Sequence, residues 1–80
     1  MLNNHLQLTP FIHIDDFQHI RVNGPFELIL LSPYACQLSG QGYTLYIEAG
    51  DARISSMNIE EVTIIVQDLT RLELKKMDMV

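Results

Sequence analysis

With Cys36 as its single cysteine, this chain of 80 residues cannot cross-link itself and must hold together by packing alone. A lone cysteine suits a reducing compartment better than an exported module built on disulfides. Tryptophan is absent and cations are few: five Lys and Arg stand against ten Asp and Glu, for a net charge of −5. Arg21, Arg53, Arg71, Lys75 and Lys76 are scattered, so the basic stripe that a nucleic-acid surface requires is missing. Long apolar runs are missing too. Leu28-Ile29-Leu30-Leu31 is far short of a membrane span. Met1-Leu2-Asn3-Asn4-His5-Leu6 has neither the basic segment nor the apolar stretch of a secretory signal. These absences point to a cytoplasmic protein with no nucleic-acid ligand, reaching a membrane only through a partner protein.

What is present is hydrophobic alternation. The chain is 48% hydrophobic, enough to fold and outside the disordered class. Ile12 and Ile14 alternate with polar residues, as do Ile20 with Val22, Leu45 with Ile47, Val62 with Ile64 and Val66, and Leu72 with Leu74. Phe26, Leu28 and Leu30 are expected on one face with Ile29 on the other. A period of two broken by Gly, Pro, Asn and Asp is the mark of strands and turns. Asn23-Gly24-Pro25, Ser32-Pro33, Ser39-Gly40-Gln41-Gly42 and Ala49-Gly50-Asp51 read as the breaks. The spacing predicts a single all-β domain over residues 1–80, with about seven short strands and an ordered core from about 10 to 74. Residues 1–8 and 76–80 read as frayed tails. At most one helical turn fits, near 57–61, with Asn58 as its cap; a turn between strands suits the segment better. Strand starts at Phe26, Leu45 and Thr63 recur at similar intervals, which leaves a sandwich or β-roll beside a short β-solenoid.

No constellation carries catalysis, and no cofactor site stands out. His13, Asp15, Asp16 and His19 are the one cluster of metal-ligand types, and without a second cluster they read as solvent-facing polar residues. Cys36 shares a face with Tyr34 and Leu38, which predicts a buried, inert thiol. Glu60 and Glu61 diverge as neighbours, and Gly40-Gln41-Gly42 precedes a strand rather than a helix. Met57 reads as core filling, and Met77 and Met79 as tail. The expectation is a protein that is not an enzyme and works by binding. Phe17, Ile29, Tyr46 and Ile65 are the candidate partner-binding residues, because they lie opposite the inferred core or near turns. Open edge strands offer a second route, to a partner's sheet or to another copy.

The second half resembles a known family. Leu45-Tyr46-Ile47-Glu48-Ala49-Gly50, Ala52-Arg53-Ile54-Ser55-Ser56-Met57 and Asn58-Ile59-Glu60-Glu61-Val62-Thr63-Ile64 follow the spacing of the YabP/YqfC family of small sporulation proteins. Ile20-Arg21-Val22-Asn23 and Pro10-Phe11-Ile12 extend the likeness over roughly residues 10 to 74. The family's glycine falls on Ala49 here, with Gly50 one place later. The resemblance implies a non-enzymatic protein of the mother cell, acting with a membrane protein. Phe17 to Leu28 is also similar to the opening of the GIN-type adhesin head domains, which implies a self-assembling β-solenoid. The acidic balance suits a third reading, a small phage or mobile-element inhibitor of a basic enzyme.

Overall fold

A computed structural model describes residues 5–77, and they form seven antiparallel strands and no helix. The strands are β1 (His5–Thr9), β2 (Ile12–Asp15), β3 (His19–Asn23), β4 (Glu27–Ser32), β5 (Ala35–Gly40), β6 (Tyr43–Met57) and β7 (Glu61–Lys76). They make one sheet in the order β1-β2-β3-β7-β6-β5-β4. Because every pairing is antiparallel, the recurring strand starts are hairpins and not the parallel rungs of a solenoid.

The sheet cannot be flat. Asn23 ends β3 opposite Glu61, whereas Glu27 opens β4 in the row that runs through Ser39 and Thr44 to Lys75. Glu61 and Lys75 are separated by roughly 45 Å along an extended strand at ~3.3 Å per residue. Yet only Gly24, Pro25 and Phe26 link β3 to β4, a reach of roughly 14 Å. The sheet therefore folds over itself, and the contacts across the gap agree. Gln41 in the β5–β6 turn donates to the Asn23 carbonyl at 3.0 Å. The radius of gyration, 12.0 Å, is that of a compact chain of this length, about 12 Å.

The fold line crosses β6 and β7 near Ala49-Gly50 and Asp68. Glu48 pairs with Arg71 but Ala49 with Leu69, so Thr70 is an extra residue that kinks β7. Asp68 lies at φ 56° beside Gly50, where a side chain would come within 3.1 Å of the Asp68 Cβ. Two leaves result. One holds β1, β2, β3 and the hairpin end of β6–β7; the other holds β4, β5 and the far end of that hairpin. Between them lie Ile12, Ile14, Ile20, Val22, Val62, Ile64 and Val66 from the first leaf, against Cys36, Leu38, Leu45 and Ile47 from the second. No polar or charged residue is buried among the described residues.

Several expectations change. Ala49-Gly50-Asp51 is a bend inside one continuous strand, because Gly50 is matched to Asp68 across the ladder rather than closing a local turn. Residues 5–8, expected as tail, belong with Thr9 to strand β1, held by pairing of Leu6 with Ile14 and Gln7 with His13. Lys76 is the last residue of β7, and Met77 donates its N–H to the Gly42 carbonyl and accepts from the Ser39 hydroxyl. Residues 1–4 and 78–80, Met79 among them, lie outside the described residues. Asn58 does cap, but without a helix: its Oδ1 accepts from the amides of Glu60 and Glu61 at 2.7 and 2.8 Å and shapes the β6–β7 turn. Met57, at the end of β6, is half exposed rather than core filling.

Candidate interaction surfaces

Strand β4 departs most from strict alternation. Leu28 pairs with Leu38 and Leu30 with Gln37, so Ile29 is the extra residue of a bulge. The bulge reverses the phase of the residues after it. Leu30 joins Gln37 on the outer side, not Leu28 on the inner one, and Leu31 falls opposite buried Cys36. Beyond β4 no further strand among the described residues covers them. Ile29 and Leu31 are 51% and 50% exposed, and Leu30 is exposed too. Tyr34, expected beside Cys36, instead sits in the β4–β5 turn at 66% exposure, since Ser32 and Ala35 close that hairpin around it. The result is a rim of Ile29, Leu30, Leu31 and Tyr34 along an outer strand of the sheet. Single exposed apolar residues are ordinary; several along one outer strand are of the kind used for protein contact.

Of the four residues singled out from sequence, Ile29 belongs to this rim. Tyr46 lies on the outer face of the same leaf, between Gln37 and Glu73. Its hydroxyl donates to Glu48 Oε2 at 2.6 Å, a hydrogen bond that pushes the phenol above its ordinary range. The Arg71 guanidinium carbon is 6.0 Å from the Tyr46 ring centroid, and Arg71 Nε donates to Glu73 at 2.8 Å. Tyr46, Arg71 and Glu73, with Gln37, Thr44 and Lys75, floor a shallow groove of about 320 Å³. Ile65 is on the outer face of the other leaf, between His19 and Arg53. Phe17 is at the β2–β3 hairpin tip, 47% exposed, with Asp16 and Phe17 both at φ 53° and Gln18 N–H bonded to the Asp15 carbonyl at 3.0 Å. That is a tight hairpin turn without glycine, and a bulky residue there carries strain of roughly 1–2 kcal/mol. The four do not form one patch: Phe17 and Ile65 are on one leaf, Ile29 and Tyr46 on the other. Leu30, Leu31 and Tyr34 were missed by alternation. The signal for them was the run Leu28-Ile29-Leu30-Leu31, since four successive apolar residues cannot all face inward in a strand.

Cys36 is fully buried, and burial pushes its thiol up to about 11. The histidines lie on the outer face or edge of the opposite leaf, beyond its reach as bases. Labelling of native protein at pH 8 with a thiol reagent is expected to run roughly a thousandfold or more slower than in urea, because it requires an opening of several kcal/mol. Native labelling within minutes would contradict this burial. Of the four residues of metal-ligand type expected to face solvent, His13, Asp15 and His19 share the outer face of β2 and β3, and Asp16 belongs to the turn. Among the described residues no three Cys, His, Asp or Glu side chains are arranged to hold a metal ion, and no helix is long and apolar enough to cross a membrane.

No protein-family model matches the chain, and no curated protein or solved structure matches it significantly.

Proposed function

We propose that this protein is a non-enzymatic binding module that docks an extended segment of another protein along β4. The apolar rim of Ile29, Leu30, Leu31 and Tyr34 on an outer strand carries the reading. The open backbone of β4 supplies hydrogen bonds to an added strand, and the rim supplies pockets for its side chains. A net charge of −5 favours a segment with basic flanks over a second copy of this acidic chain. The YabP/YqfC-like spacing from Leu45 to Ile64 supports a setting in the mother cell of an endospore-former, where the docked segment belongs to a membrane protein.

The test is capture from sporulating cells with the wild-type chain and with Ile29→Lys/Leu31→Lys, whose sites are half exposed and leave the core intact. One protein bound by the wild type is expected to lose roughly thirtyfold in affinity for the variant, the scale of a 2 kcal/mol hot spot. Undiminished binding by the variant would refute docking at β4. A wild-type chain that forms dimers lost in the variant would instead assign the rim to a second copy.

A further inference from the structure

The chain has three histidines, and the fold brings all of them to β1, β2 and β3. His5 pairs with Asp15 across β1–β2, Asp15 pairs with His19 across β2–β3, and His13 sits one outward position along β2. His5 Nδ1 donates to Asp15 Oδ1 at 2.6 Å. That bond fixes the tautomer of His5 and leaves its Nε2 as a lone pair, which faces His13 Nδ1 at 3.5 Å. The two rings lie 5.4 Å apart between centroids, inclined by 29°. The second oxygen of Asp15 is 3.5 Å from Arg21 Nη2, so the carboxylate offsets that nearby cation. The hydrogen bond from His5 is the main reason the Asp15 carboxyl is held below its ordinary range.

We propose that His5 Nε2 and His13 Nδ1 form a two-nitrogen site for a borderline-soft divalent cation such as Zn²⁺. A tetrahedral ion with Zn–N bonds of ~2.0–2.1 Å holds its ligand nitrogens about 3.4 Å apart, and these two are 3.5 Å apart. The ion takes the place of the hydrogen between the rings. His13 moves its proton to Nε2, and each lone pair swings off the nitrogen–nitrogen line by about 35° to meet a tetrahedral centre. Asp15 plays the part that a carboxylate has behind many metal-bound histidines: it orients the ring and raises its basicity. Two imidazoles select first-row ions over Mg²⁺ and Ca²⁺, which want oxygen. The remaining positions are open to water, so the ion is exchangeable rather than structural, in keeping with the lack of a third protein ligand among the described residues. The site escapes sequence reading because His5 falls in a segment with the look of a tail, and its ten-residue separation from Asp15 is bridged only by the β1–β2 pairing.

The experiment is titration of the full chain with Zn²⁺, followed by calorimetry and by the imidazole resonances, with Mg²⁺ as a control. Uptake of one ion per chain that moves the His5 and His13 signals is expected. His13→Gln should abolish it, Asp15→Asn should weaken it about ten- to hundredfold, and His19→Gln should leave it unchanged. Because β1 depends on His5 in part, His13→Gln is the decisive variant: its site is on the outer face of β2 and its fold can be checked by the other resonances. Zn²⁺ uptake that survives His13→Gln, or no uptake by the wild type at about 1 mM, overturns the proposal.

Discussion

Ile64→Ala is expected to lower the unfolding midpoint by about 15–25 °C. Ile64 is fully buried, in β7, flanked by Ile20 of β3 on one side and Ile54 of β6 on the other. Truncating such a side chain removes its transfer free energy and leaves a cavity that neighbours held by backbone ladders on both sides cannot collapse into. The usual cost is about 2–5 kcal/mol. For a domain of this size each kcal/mol shifts the midpoint by roughly 4–8 °C, and total stability is only about 5–15 kcal/mol. Ile65→Ala, one residue on, is the matched control. Its side chain is on the outer face between His19 and Arg53, and its loss should shift the midpoint by no more than roughly 5 °C. Thermal melts of the two variants check the alternation directly. Equal shifts would mean that the leaf is not one-sided.

The second large effect concerns the closure of the leaves. A Cβ on Gly40 would sit 2.6 Å from the Pro25 carbonyl oxygen and 3.1 Å from the Phe26 Cα. Both are backbone atoms of the link that brings β3 across to β4, so neither can rotate aside. Gly40→Val is expected to cost about 3 kcal/mol, the upper range for overpacking, read as a lower urea midpoint. Gly42 separates this from a general intolerance of the turn. At φ 83° with open space around it, Gly42→Ala meets no neighbour and should lose only the roughly 1–2 kcal/mol of a left-handed alanine. If Gly40→Val proves no worse than Gly42→Ala, the close approach of the link is not what holds the leaves together.

The fold class was legible because the core strands keep strict phase. Ile12 with Ile14, Ile20 with Val22, Leu45 with Ile47 and Val62 with Ile64 and Val66 are buried as alternation requires. The illegible parts are those where meaning depends on a distant partner. Ala49-Gly50-Asp51 has the composition of a turn, and only the pairing of Asp51 with Gln67 and of Ala49 with Leu69 makes it a bend in a strand. Ile29 as a bulge cannot be distinguished from Ile29 as an ordinary strand residue until β5 sets the register. The β2–β3 hairpin carries Asp16 and Phe17 at positive φ where glycine or asparagine would have announced it. The candidate rim suffers most from this, since Leu30 and Leu31 exchange faces through that one bulge.

Strands β6 and β7 belong to both leaves, so the leaves share two polypeptide segments instead of meeting at a seam. A sandwich assembled from separate sheets can shed one layer and keep the other. Here, melting either half of the β6–β7 ribbon takes away the template of its own leaf and, because both strands run on through the bend, the covering face of the other. The bend at Gly50 and Asp68 thus ties the two halves of this small chain into one cooperative unit, and fraying is expected first at β1 and β4, which end the strand order of the sheet.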